Sequence, residues 1–367
     1  MRKLLVILGT RPEAIKLSPL ALHFRKMPME FEVHVCLTGQ HRELARQALA
    51  SFGLAADTDL DLMLPGQTLF QSTSRILSAL ECVFAKVKPD LVFVQGDTTT
   101  TLCGALGAFY AGVPVAHVEA GLRTGDLAQP FPEEANRLLV GRVASIHLAA
   151  TPWAAGNLRR EGVGEASITV TGNTGIDALL LMAAGLAPID WGFLDPGRKM
   201  ILVTGHRREN FGDGMESFCR ALRCLAARAD VQIVYPVHPN PNVRRPVEAM
   251  LAGLGNVHLI APQEYPPFVD LMRRSYLIVT DSGGVQEEGP SLGKPILVTR
   301  EVTERPEAVE AGTVQLVGTD EDRIVAEAGL LLDNKEEYAR RSRMHNPYGD
   351  GHACPRIELA VRAYFAR

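Results

Sequence analysis

Residues 277–295 read LIVTDSGGVQEEGPSLGKP, and the fold follows from them. Leu277–Thr280 is an apolar run of the length expected for a buried β-strand. It breaks at Asp281-Ser282-Gly283-Gly284 and passes into a helix carrying two adjacent carboxylates, Glu287 and Glu288. Glycines directly after a strand let the backbone approach a ligand closely, and the N–H groups that open the next helix point at whatever sits there. Ser282, Gly283 and Gly284 therefore read as a seat for a diphosphate. Glu288, one turn further in, is placed to accept hydrogen bonds from the two hydroxyls of a ribose. A strand, a tight turn and a helix with a ligand at the junction is the unit from which open parallel sheets are built.

The same rhythm extends in both directions. Apolar runs recur at Leu4–Leu8, Val33–Leu37, Leu91–Val94, Val113–Val118, Ile146–Ala149 and Ile168–Val170, with helical segments between them. It resumes at Met200–Val203, Gln232–Tyr235, Val257–Ile260, Leu277–Thr280, Ile296–Val298 and Thr313–Leu316. Strand alternating with helix predicts parallel sheets covered on both faces. The halves also echo each other: LLVILGTRPE from Leu4 resembles ILVTGHRRE from Ile201. The expected fold class is α/β, with two Rossmann-like doubly wound domains of six strands each facing across a cleft. Residues 1–172 form the first domain and 173–355 the second, with a C-terminal helix at 356–367 returning to the first. The breaks between Thr171 and Pro196 mark the linker.

At 367 residues the chain exceeds the usual size of one domain, which agrees with that division. The net charge of −4, with no long run of like charges, argues against a nucleic-acid partner. The apolar run Leu4–Leu8 is too short for a signal peptide, and charged residues follow it at once. Thr98–Ala116 carries no charge but is broken by Gly104, Gly107, Gly112 and Pro114, so it reads as a core helix and a strand rather than a membrane span. Six cysteines with no C-x-x-C pair suit reduced thiols and a cytoplasmic location. No metal-binding spacing, G-x-G-x-x-G or P-loop occurs, so neither a metal nor a redox cofactor is expected.

Candidate site residues cluster where strands end. Arg11 and Lys16 share the first glycine turn and its helix; a positive charge at a helix N-terminus is unfavourable unless an anion sits there. Asp97 follows the strand Leu91–Val94 in Gly96-Asp97-Thr98, where it could equally cap a helix. Glu119 ends an apolar strand at a point where a packing residue is expected, and Glu133 stands at an acidic helix start. His206 occupies the position that matches Arg11 in the other half, so it is assigned to phosphate or general-acid work. His238 ends another strand, and its role stays open.

The motifs GTRPEAIK, GDTTTT, HVEAGLRTGD, PEEANR, TGNT, TGHRRE, YPVHPNPNVR, TDSGGVQEE, PSLGKP, TERPE and NPYGDG run in order from Gly9 to Gly351. Together they resemble the non-hydrolysing UDP-N-acetylglucosamine 2-epimerases of bacteria. The resemblance implies the glycosyltransferase B arrangement, a homodimer, and interconversion of UDP-N-acetylglucosamine with UDP-N-acetylmannosamine for cell-surface polysaccharide. It places nucleotide contacts on Arg11, His206, Gln263, Phe268, Ser282, Gly283, Gly284, Glu288 and Arg305, with Gln263 and Phe268 on a loop against the uracil. Lys16, Asp97, Glu119 and Glu133 match catalytic or substrate-contacting positions. Gln40 and His41, with His238, fall in a region that can hold a second, regulatory UDP-N-acetylglucosamine. The departures are Gly175, Gly289 and Pro239, which touch packing and loop stiffness. A glycosyltransferase of the same fold and a hydrolysing epimerase remain the rivals. A UDP-sugar sensor is disfavoured, because binding an anion gains nothing from three extra carboxylates.

Overall fold

The computed structural model describes residues 1–367 apart from 41, 65 and 304. Its strands are β1 (Arg2–Leu8), β2 (Phe31–Leu37), β3 (Thr58–Asp59), β4 (Leu91–Gln95), β5 (Val115–Ala120), β6 (Ile146–Ala149) and β7 (Ile168–Val170) in the first half. In the second half they are β8 (Lys199–Thr204), β9 (Val231–Pro236), β10 (Val257–Ile260), β11 (Leu277–Thr280), β12 (Ile296–Val298) and β13 (Val314–Leu316). The first sheet runs β3-β2-β1-β4-β5-β6-β7 and the second β10-β9-β8-β11-β12-β13, with parallel pairing throughout. Counted from its own first strand, the second sheet repeats the order of the first six strands of the other. The first sheet has a seventh strand beyond the six expected: β3 is only two residues long and has no apolar run to betray it.

Both faces of the first sheet are buried. Leu4, Val6 and Leu8 point into one core with Leu17, Leu20 and Phe24 of the helix Arg11–Arg25. Leu5 and Ile7 point into another with Leu80, Phe84 and Cys103 from the helices Leu69–Val87 and Thr99–Tyr110. Successive strand residues face opposite sides, so a strand covered on both faces is apolar along nearly its whole length, as β1 is from Leu4 to Leu8. The charge-free stretch is the helix Thr99–Tyr110 followed by β5. No helix among the described residues is long and apolar enough to cross a membrane.

The chain divides into two compact units, Met1–Leu181 with Tyr348–Arg367, and Met182–Pro347. The division falls inside the helix Thr174–Gly185 rather than at 172, and residues 348–355 go with the first unit. Hydrogen bonds explain the shift. Asn173 N–H donates to Tyr348 O at 2.7 Å. Asp177 accepts the N–H groups of Ala353 (3.1 Å) and Cys354 (2.9 Å), which open the helix Ala353–Phe365. That helix buries Cys354, Ile357 and Val361 in the first core, and its Glu358 meets His23 Nε2 at 2.6 Å.

Candidate active site

In each sheet the winding reverses between two neighbouring strands, β1 and β4 in the first and β8 and β11 in the second. Loops at the carboxyl ends of such strands form the binding crevice of open α/β sheets. The loops there are Gly9–Arg11, Gly96–Thr98, Gly205–Arg207 and Asp281–Gly284, so the topology alone places Arg11 and Asp97 in the crevice of the first sheet and His206 and Ser282–Gly284 in that of the second.

In the first unit, Thr10 caps the helix Arg11–Arg25 in a reciprocal box with Glu13. Glu13 is fully buried and does more than cap. Its Oε2 accepts from Gly9 N (3.1 Å), Thr10 N (2.8 Å) and Thr10 Oγ1 (2.7 Å), and its Oε1 from Thr98 Oγ1 (2.7 Å) and Thr101 Oγ1 (3.1 Å). One carboxylate thus staples the β1 loop, with Arg11 and Lys16, to the β4 loop with Asp97. Burial pushes its proton affinity up against these five donors.

Lys16 Nζ lies 2.6 Å from Glu119 Oε2, and Gln95 Nε2 donates to the same oxygen. Glu119 has φ = +62°, in the left-handed region that an L side chain occupies at a cost of about 1–3 kcal/mol. The β5–β6 register slips between Val118 and Ala120, so the strand bulges there and turns the carboxylate away from its packing position. This is why a glutamate ends an otherwise apolar strand.

Asp97 does not cap the following helix. Thr98 does, accepting Thr101 N–H at 3.1 Å. Asp97 Oδ2 instead receives Arg137 Nε (2.9 Å) and Nη2 (2.7 Å), while Asn136 Nδ2 donates to Asp97 O at 2.8 Å. Arg137 also reaches Glu134 Oε2 at 2.7 Å. Burial alone would raise Glu134, but the N–H groups of Gly125 and Thr124 and the Arg137 guanidinium outweigh it and hold it below the usual carboxylate range. Glu133 opens the helix Glu133–Val143, half-buried, and its side chain makes no hydrogen bond or ion pair with the described residues. Gln40 Oε1 accepts Thr100 Oγ1 at 3.0 Å beside Gly9; His41 lies outside the described residues. A Cβ at Gly175 would stand 3.0 Å from Asn173 Oδ1 and 3.5 Å from Lys16 Cε, so its small size leaves room at the lysine.

In the second unit, Ser282 precedes the helix Gly283–Glu288, and its side chain makes no capping bond. A Cβ at Gly284 would meet nothing within 4 Å, so packing does not require that glycine. A Cβ at Gly283 would strike the guanidinium of Arg305, which is held there by Glu287 through Nε at 2.7 Å. Glu287 therefore positions Arg305, and Glu288 is the half-buried member of the pair, with the Tyr265 hydroxyl on its Oε1 at 3.0 Å. Gly289 makes room for Ile296 Cδ1. Gln263 sits in the loop after β10, but Phe268 lies within the helix Tyr265–Arg274, not on that loop: Pro266 fits the first turn after Glu264 and starts the helix early. His206 follows Gly205 at the end of β8, 3.2 Å from the buried Asp281. His238 belongs to this unit too, its ring stacked on that of His206 at 5.5 Å.

Arg137, Glu134, Gln95, Glu13 and Asp281 were not among the sequence candidates. All five stand inside or beside the quoted motifs, but only their partners reveal what they do. Among the described residues no cluster of three His, Cys, Asp or Glu side chains could hold a metal ion.

The family model described as UDP-N-acetylglucosamine 2-epimerase matches residues 24–362. The chain is 55% identical over 370 residues to the UDP-N-acetylglucosamine 2-epimerase of Escherichia coli, covering 98% of each chain. It is 48% identical to that of Bacillus subtilis, over 97% of this chain and 93% of that one. Among solved structures, the Neisseria meningitidis UDP-GlcNAc 2-epimerase bound to UDP-GlcNAc superposes with a TM-score of 0.90 at 44% identity, with 100% of both chains covered. A 2-epimerase structure from Listeria monocytogenes, described as putative, gives 0.93 at 45% identity over 99% of this chain and 96% of that one.

Proposed function

This chain belongs to the UDP-N-acetylglucosamine 2-epimerase family, and on that footing we propose that it interconverts UDP-N-acetylglucosamine and UDP-N-acetylmannosamine without hydrolysing either, as a cytoplasmic homodimer. The observation that carries the reading is the strained Glu119. A bulged strand holds it in the left-handed region beside Lys16 and Gln95, and Asp97 and Glu133 stand in the same unit. Three carboxylates without a metal or nicotinamide motif suit proton transfer at carbon.

The chemistry sets what each group must do. The C2 proton of the sugar has no neighbouring carbonyl, so a free carbanion there is inaccessible. Removing that proton while the C1–O bond to UDP breaks avoids it: the C2–H electron pair becomes the C1=C2 bond, and the C1–O pair leaves with UDP. The intermediate is a glycal held beside UDP. Returning a proton to C2 from the opposite face as UDP re-adds at C1 gives the epimer. Asp97, Glu119 and Glu133 are the acid–base groups. Arg11, His206 and the N–H groups at Ser282–Gly284 stabilise the leaving diphosphate, Glu288 holds the ribose, and Gln263 and Phe268 hold the uracil.

Incubation with UDP-N-acetylglucosamine alone, in heavy water and followed by proton NMR, tests this. A mixture of two UDP-sugars with deuterium at C2 and nowhere else is expected. Free UDP with N-acetylmannosamine means the hydrolysing reaction, and no new sugar means a transferase or a sensor. Epimer formed at full rate without deuterium removes the elimination route.

A further inference from the structure

Asp281 is the residue just before the glycine turn, and its carboxylate is fully buried. Its Oδ2 accepts the backbone N–H groups of His206 (2.7 Å) and Arg207 (2.8 Å). Its Oδ1 is buried as well, makes no well-aligned hydrogen bond among the described residues, and has His206 Nδ1 at 3.2 Å. Burial would raise the proton affinity of Asp281, but His206 and the two backbone N–H groups outweigh it and hold the group below the usual carboxylate range. The group is therefore an anion, and a buried carboxylate oxygen left without a donor is costly. The facing nitrogen can donate only if it carries its proton. A proton on His206 Nδ1 would satisfy that oxygen, and Nε2 is the nitrogen turned away from Asp281.

A neutral imidazole with its proton on Nδ1 presents a bare lone pair at Nε2, which repels a phosphate oxygen. It becomes a donor there only by taking up a second proton. We propose that binding of a nucleoside diphosphate to this chain is coupled to the uptake of one proton at His206 Nε2, and that Asp281 is the positioning residue that enforces the coupling by keeping Nδ1 protonated throughout. The coupling rests on the assignment of His206 to the diphosphate made above.

The other groups that face the ring are compatible with it. His238 stacks on it with 20° between the planes, and its Nδ1 accepts the Asn240 N–H at 3.2 Å. Burial, together with the His206 charge, lowers the proton affinity of His238, so it is a neutral neighbour when His206 is charged. The Tyr235 hydroxyl donates to Gly205 O at 3.1 Å and does not compete for Asp281. Arg207 brings a positive charge on the same loop, and its backbone N–H is already bound to Asp281.

Calorimetric titration of the whole chain with UDP, at about pH 8 in two buffers of different ionisation enthalpy, counts the protons. There an ordinary imidazole is neutral and the terminal phosphate of free UDP is fully ionised, so uptake reports on the protein. The wild type is expected to take up about one proton per UDP, and His206→Gln none. In Asp281→Asn the amide oxygen keeps both backbone N–H groups and the amide NH2 faces Nδ1. The ring must then carry its proton on Nε2, where it donates to phosphate directly: UDP still binds, and uptake falls to near zero. Ring-nitrogen NMR of the free wild type with isotope-labelled histidine, assigned by His206→Gln, reads the tautomer without any change at Asp281. A proton on Nε2 there overturns the proposal. So does wild-type binding without uptake, or equal uptake by the wild type and Asp281→Asn. A chain that does not bind UDP gives no binding heat in either buffer; that result overturns the diphosphate assignment and the coupling with it. Failure of the coupling alone gives the same heat in both.

Discussion

Glu134 commits both carboxylate oxygens to the fold: Oε1 takes the N–H groups of Thr124 (3.1 Å) and Gly125 (3.0 Å), and Oε2 takes Arg137. Glu133, its neighbour, is the one to which the proposed reaction assigns proton transfer. Asp97→Asn, Glu119→Gln and Glu133→Gln should each lower turnover by about 10²–10⁴. UDP affinity should stay near that of the wild type, because a negative charge near a diphosphate only hinders binding in the ground state. Glu134→Gln should act differently, lowering the thermal midpoint through the loosened Thr124–Gly125 turn. Turnover, UDP calorimetry and thermal melting on the four variants separate these outcomes, and any of the three amides that keeps near wild-type turnover loses its catalytic role. Glu288→Ala should weaken UDP binding by roughly 2–4 kcal/mol through lost charge-assisted hydrogen bonds to the ribose. An unchanged Kd would remove the ribose contact.

The strands β5 and β6 carry His117 and His147 opposite each other in register. His117 Nε2 donates to Gly96 O at 2.7 Å, so the buried histidine backs the loop that presents Asp97. Burial lowers His117 to about 3 and His147 to about 4, so both are neutral in the fold at ordinary pH. In the unfolded chain they take up protons below about pH 6.5. The unfolded state therefore binds more protons from there down to about pH 4, and stability falls with pH across that window. The loss is about 1.4 kcal/mol per pH unit for each histidine, and it levels off below the native values. Denaturation midpoints at pH 7 and pH 5 should show this, with a shallower dependence in His147→Asn; an unaltered slope in that variant would clear His147 of the effect.

At this same scale the sequence was most readable. Twelve strands announce themselves as mainly apolar runs because a sheet covered on both faces buries nearly every side chain it carries. The two-residue β3 has no such run. The bulge at Glu119 is a backbone event that residue types do not encode, although a glutamate at a packing position marks the place. Pro266 in the first turn is a readable helix start, and it puts Phe268 on a helix rather than a loop. The partners of Asp97 were beyond reach, since Arg137 stands 40 positions away in sequence.

The first unit is assembled from two separated pieces of chain, Met1–Leu181 and Tyr348–Arg367. Deleting the helix Ala353–Phe365 removes Cys354, Ile357 and Val361 from its core and leaves Asp177 without the N–H groups it binds. At roughly 1.5–3 kcal/mol for each buried aliphatic side chain, the loss should be several kcal/mol and should fall on this unit alone. The chain's two tryptophans report on it separately, Trp153 from the first unit and Trp191 from the second. In the truncated chain, Trp153 fluorescence in a Trp191→Phe background should shift at lower denaturant than Trp191 fluorescence in a Trp153→Phe background. Coincident transitions would mean that the helix supports both units equally.

That same discontinuity orders events on the ribosome. Residues 182–347 are all translated before the helix that closes the earlier unit, so the second-made unit can finish first. At about 5–20 residues per second, the opening 181 residues wait on the order of ten seconds or more for Ala353–Phe365 to cover them. A ribosome that stalls in that interval releases a finished second unit joined to an unclosed first one, with the core positions that Cys354, Ile357 and Val361 would cover left open to water.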